Sequence, residues 1–159
     1  MSSSLGNPTR PTSHHQPAQA KEEFVSHASS LEAVQDFCAS FGPTYDDVVV
    51  MFKRLIPPNV SWQSVTTIDH PVESLDAMLV NLQRARKTIG AERFRVDVHR
   101  IQDDGDVVLV HRTDTVMDKD GNLLHELDMM SMFRVEHRKI RWSREYFFDS
   151  RHFAVDWDK

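Results

Sequence analysis

The stretch Val107-Val108-Leu109-Val110-His111-Arg112-Thr113-Asp114-Thr115-Val116-Met117 reads as a β-strand, and it decides the fold. It is dense in β-branched residues and has no helical period. Successive side chains on a strand alternate faces, so Arg112 and Asp114 project to the same side as Val108 and Val110. A cation and a carboxylate thus stand where the pattern otherwise wants core. Burying such a pair is costly unless each charge is hydrogen-bonded, and a carboxylate from a neighbouring strand would let one guanidinium fork bridge two acids. Glu145, in Arg144-Glu145-Tyr146-Phe147, is the candidate for that second acid. From spacing alone, an ion pair on a solvent-facing sheet edge is the simpler reading of Arg112 and Asp114. Alternation likewise puts Glu145 with Arg141, Ser143, Phe147 and Asp149 on a face that reads as solvated.

Working outward, Phe94 to Gln102, Leu123 to Val135 and Lys139 to Asp149 also read as strands. Asp103-Asp104-Gly105-Asp106, Lys119-Asp120-Gly121-Asn122 and Glu136-His137-Arg138 join them. Turns this short require an antiparallel meander. Upstream the period changes. From Ser30, an N-cap residue, Leu31, Val34, Phe37, Cys38 and Phe41 recur at helical spacing until Gly42-Pro43. A second helix runs from Thr44, with Val48, Val49, Phe52 and Leu55 apolar, and stops before Pro57-Pro58. Val60 to Val65 reads as a short strand. Pro71 opens a long helix to about Ile89, striped by Val72, Leu75, Met78, Leu79 and Leu82 and ended by Gly90. Helices first and strands afterwards argue for a single α+β domain: a curved, mostly antiparallel sheet, a cone closed on its concave face by three N-terminal helices. A pocket between sheet and helices follows. Val107 and Leu109 oppose Val108 and Val110, so the convex face is expected to be covered too, by a second copy in a homodimer.

Residues 1–22 combine Ser, Pro, Gln and His with almost no apolar content and read as a disordered tail; residues 23–159 form the domain. The net charge of -5 gives no positive field for phosphate backbones, which argues against nucleic acid as a partner. There is no apolar run long enough for a membrane span and no secretory h-region, so a cytoplasmic protein is expected. The lone Cys38 reads as a packed core thiol. His99, His111, His125 and His137 lie on separate strands or a turn without the short spacing of a zinc site, so no metal or other cofactor is expected.

Phe94 to His99, Val110-His111-Arg112-Thr113-Asp114, and Phe133 running to Arg144-Glu145-Tyr146-Phe147 resemble the limonene-1,2-epoxide hydrolase family. That family lies within the superfamily of ketosteroid isomerase, scytalone dehydratase and the small SnoaL-like polyketide cyclases. The resemblance covers roughly residues 31–153. It implies that Asp114 is the general acid on the epoxide oxygen, Arg112 the bridge, and Glu145 the base where family members carry Asp. Trp62 and Ser64 fall where the family has a Tyr and an Asn that hold the attacking water. Tyr146-Phe147-Phe148-Asp149 has one aromatic more than the family pattern, and Asp149 is a fallback base on the Glu145 face. Met78, Leu127, Met129, Ser131 and Phe147 are the expected pocket walls.

Opening an epoxide with water needs one carboxyl group to give a proton while another takes one. Two acids unequally placed around one arginine can be held in opposite protonation states. The reading is therefore an epoxide hydrolase acting on a hydrophobic terpenoid or polyketide-derived small molecule, in secondary metabolism. Two alternatives share the same cone. One is an isomerase, cyclase or dehydratase in which one carboxylate shuttles a proton and Arg112 steadies an oxyanion. The other is a non-catalytic small-molecule-binding module.

Overall fold

The computed structural model describes residues 30–64 and 70–149. Three helices precede and flank a five-stranded sheet. They are α1 (residues 30–39), α2 (Tyr45–Leu55) and α3 (Leu75–Ile89). The strands are β1 (Ser61–Ser64), β2 (Arg93–Asp103), β3 (Val108–Met117), β4 (Leu123–Glu136) and β5 (Lys139–Asp149). Their order in the sheet is β1-β5-β4-β3-β2. The four long strands form the expected meander, and β1 adds parallel to β5, which makes the sheet mixed and leaves it unclosed. The expected tail over residues 1–22, and Val65, lie outside the described residues.

Capping sets the helix starts. Thr44 and Asp47 form a reciprocal capping box at α2. The long helix begins at Leu75 rather than at Pro71, because Ser74 accepts a hydrogen bond from the Ala77 N–H at 3.1 Å. Val72, expected on the helical stripe, instead pairs with Trp62 through two backbone hydrogen bonds of 2.7 and 2.8 Å. Gly42 has φ +120°, and a Cβ there would strike the Phe94 carbonyl, so only glycine lets the chain cross β2 at this point.

The core lies between the inner face of the sheet and α1 and α2. Val34, Phe37, Val48 and Met51 from the helices meet Val108, Val110, Phe133 and Ile140 from the strands, all essentially without solvent exposure. Phe37 is the hub of an aromatic cluster, with ring centroids 5.5 Å from Phe41 and Phe133 and 5.7 Å from Trp62. Cys38 is buried beside them as expected, and burial pushes its thiol up to about 11.

Two β-bulges redirect side chains. In β5 the register jumps between Ile140, paired with Val135, and Trp142, paired with Arg134, so Arg141 is an extra residue. The alternation changes phase there. Ile140 points inward before the bulge, and Ser143 and Glu145 point inward after it, buried at 0 and 7 % exposure. The face expected to be solvated is therefore the core face. In β2 the extra residue is His99, between Val98, paired with Arg112, and Arg100, paired with His111. His99 and His111, expected as scattered histidines, are brought together with ring centroids 4.8 Å apart.

Candidate active site

The register places the site. Arg112 and Asp114 on β3 face Met129 and Leu127 on β4, and Ser131 on β4 faces Glu145 on β5. All of the charged members point inward, and Ser64 of β1 pairs with Glu145 across the parallel edge. Arg112 is the largest fully buried side chain among the described residues, 2 % exposed. Its Nε donates to Asp114 Oδ1 at 2.8 Å, and its Nη2 lies 3.3 Å from Asp114 Oδ2. Nη2 also donates to Glu145 Oε1 at 2.7 Å, and Nη1 donates to Ser131 Oγ at 2.9 Å. One guanidinium thus bridges two carboxylates from strands two apart, the arrangement that makes a buried cation tolerable.

The arginine also rests on aromatic faces, with its Cζ 5.8 Å from the Phe37 centroid and 5.6 Å from that of Phe133. Burial opposes its charge, but Glu145 and Asp114 outweigh burial and hold its pKa above the usual arginine value. The two acids differ in their surroundings. Burial pushes the Asp114 carboxyl above the ordinary carboxylate range, the Glu145 charge adds to that push, and the pull of Arg112 opposes it only in part. Glu145 accepts from two further donors: Trp62 Nε1 at 2.8 Å on Oε2 and Ser131 Oγ at 3.4 Å on Oε1. Asp114 is thus suited to carrying a proton, while Glu145 is held by Arg112, Trp62 and Ser131.

A cavity of about 480 Å³ adjoins this cluster, large enough for a small organic molecule. Phe52, Trp62, Val72, Met78, Leu82 and Ile89 give it apolar walls, and Ser64, Asn81, Arg84 and Thr88 add polar groups. Trp62 links the two, lining the cavity and donating to Glu145.

Of the residues singled out in the sequence, Arg112, Asp114, Glu145 and Trp62 come together in one hydrogen-bonded cluster, and Trp62, Ser64 and Met78 line the cavity. Trp62, expected to position water, donates its indole N–H to the expected base. Met129 packs its sulfur 3.8 Å from Arg112 Nη2 and is not among the cavity walls, nor are Leu127 and Phe147, which are half-buried at neighbouring register positions. Asp149 pairs with Leu127 through its backbone, and its side chain lies outside the described atoms. Two contributors escaped the sequence reading. Ser131 was expected only as a pocket wall, although a serine between Met129 and Phe133 on an inward phase signals a buried hydrogen-bonding role. The aromatic seat of Phe37 and Phe133 carries no local signal, because Phe37 lies far from Arg112 in the chain.

The structure is thus a small α+β cone holding a buried acid–arginine–acid cluster beside a largely apolar cavity. The family model of the limonene-1,2-epoxide hydrolase catalytic domain matches residues 67–156, more than half of the chain, and the chain belongs to that family. No curated protein matches it in sequence. Among solved structures it is similar to an LEH-like epoxide hydrolase of M. tuberculosis, at 21% identity and TM-score 0.60 over 76% of this chain and 84% of that one. It is also similar to a candidate SnoaL-like polyketide cyclase from Jannaschia sp. CCS1 (13% identity, TM-score 0.61, 86% of this chain and 91% of that one). A candidate ketosteroid isomerase from Kribbella flavida shares 12% identity, with TM-score 0.58 over 77% of this chain and 80% of that one. Likenesses at these identities establish the shared fold.

Proposed function

We propose that this protein is an epoxide hydrolase that adds water to a hydrophobic epoxide in one step to give a vicinal diol. The observation that carries the reading is the Arg112 bridge, with Asp114 2.8 Å from one edge of the guanidinium and Glu145 2.7 Å from another, in a protein whose family hydrolyses epoxides. Glu145 takes a proton from water as the water oxygen attacks a ring carbon. The carbon–oxygen bond breaks, and Asp114 delivers its proton to the departing oxygen in the same step. Proton exchange with solvent then restores the starting forms. Arg112 keeps the two acids apart and fixed, and Trp62 orients Glu145 through Oε2. The apolar walls of the cavity favour a terpenoid or polyketide-derived substrate over a polar one.

The test is turnover of a panel of hydrophobic epoxides, limonene 1,2-epoxide included, by the parent protein and by the Asp114→Asn and Glu145→Gln variants. Diol from the parent, with kcat lowered in each variant by about 10²-fold or more at unchanged fold, supports the roles given. Undiminished activity in Glu145→Gln moves the base to Asp149. A rearranged or cyclised product lacking the added water favours the isomerase or cyclase reading instead.

A further inference from the structure

The side of the sheet that faces away from the helices carries a second constellation, built from residues the hydrolase reading does not use. His99 on β2, His111 on β3 and Asp128 on β4 each offer one ligand atom, and these atoms all lie within 4.8 Å of one another. We propose that these three residues bind a divalent cation of the zinc class, with a remaining position open to solvent.

Backbone, chemistry and reach each support the assignment. The β2 bulge inserts His99 as an extra residue in an otherwise regular hairpin and turns its ring to within 4.8 Å of the His111 ring, centroid to centroid. Bulges re-aim side chains in this way, and without this one His99 would lose its present register against β3. His111 Nε2 lies 2.8 Å from Asp128 Oδ1, and His99 Nε2 lies 2.7 Å from Thr113 Oγ1. One carboxylate, two imidazoles and a hydroxyl therefore converge on one patch. Two nitrogen ligands and one carboxylate suit zinc, nickel, copper or cobalt and not magnesium or calcium, which take oxygen ligands. Tetrahedral ligands at zinc–nitrogen distances of about 2.0–2.1 Å stand roughly 3.3 Å apart. Small side-chain rotations close the gap from the present spacing, and His99 and Asp128 are exposed and free to make them.

The consequence lies in the strand these residues share with the inner site. His111 and Thr113 alternate with Arg112 and Asp114 along β3, so a cation held outside would clip β2, β3 and β4 together directly behind the acid–arginine pair. Its role is that of a brace on the strand that positions Asp114.

The test is calorimetric titration of the full-length, tag-free protein with zinc chloride, repeated on His99→Gln, His111→Gln and Asp128→Asn. A His14→Gln/His15→Gln variant controls for the histidines near the N-terminus. Circular dichroism without metal verifies that each variant folds. One zinc per chain is expected, with affinity at least about tenfold weaker in each of the three variants and unchanged in the His14/His15 control. Saturating zinc is expected to raise the Tm of the parent by about 5 °C or more and to leave that of His111→Gln unmoved. Cobalt bound at the same site should show the visible absorption of a low-coordinate ion, while magnesium should fail to compete. Zinc affinity within about threefold of the parent in all three variants, or binding abolished in the His14/His15 control, would overturn the assignment.

Discussion

Replacing Arg112 with methionine removes the one positive charge that holds two buried carboxylates in place. The side chain is 2 % exposed, and the side chains of Asp114 and Glu145 are 10 and 8 % exposed, so water cannot replace the lost partner. Breaking a buried ion pair from one side costs about 3–5 kcal/mol, and here a single arginine serves two acids, which places the expected loss at the upper end. For a chain of this size that is a fall in Tm of about 10–20 °C. The internal control is Arg95→Met. Arg95 pairs with Asp97 where the side chains are 61 and 50 % exposed, and exposed pairs contribute about 0–1 kcal/mol. The assay is urea unfolding at pH 7 and again at pH 5. Without Arg112, burial raises Asp114 unopposed, so the native state of the variant holds a proton that the unfolded chain releases, and its deficit shrinks on acidification. A loss below about 1 kcal/mol, or a deficit that widens at pH 5, would refute the buried bridge.

Three further outcomes follow from the same geometry. The Asp114 carboxyl is raised by burial, so its contribution to stability is fully present below the ordinary carboxylate range and is lost as pH rises through its folded value. The urea midpoint of the parent should therefore drop relative to that of Asp114→Asn as pH rises through that window, the difference removing the opposite contributions of Asp36, Asp47 and Asp118 that both proteins share. Trp62→Phe keeps an aromatic ring but removes the donor to Glu145 Oε2; a loss of about 1.5–3 kcal/mol in urea unfolding is expected, with kcat falling more than KM changes. Cys38, buried and with its thiol pushed up to about 11, should resist a thiol reagent at pH 8 until denaturant is added, whereas rapid labelling of the native protein would contradict its place in the core.

The meander was legible in the sequence because its information is local. Asp-Gly and Lys-Asp-Gly-Asn turns and runs of β-branched residues place β2 to β5 within a residue or two of where they stand. The pairing of Arg112 with Asp114 was legible for the same reason, since both sit on one face of a regular strand. The inward direction of Glu145 was not, because alternation counted forward from Ile140 along β5 crosses the bulge at Arg141, and one inserted residue exchanges the two faces. The approach of His99 to His111 rests on the β2 bulge, which strand alternation does not announce. Val72 looked helical by spacing, but the N-cap at Ser74 starts the helix later and frees Val72 to pair with Trp62. The seat of Phe37 and Phe133 beneath Arg112 depends on the docking of α1 against β4, a contact between segments about a hundred residues apart that no local pattern records.

The most direct test of direct water attack by a base–acid pair around Arg112 is a single turnover in oxygen-18 water, with protein in excess over a hydrophobic epoxide. The diol formed in that first turnover should carry one solvent-derived oxygen, because in the proposed step Glu145 activates water and forms no bond to carbon. Unlabelled diol would contradict it, since the oxygen would then have come from a carboxylate of the protein through a covalent ester.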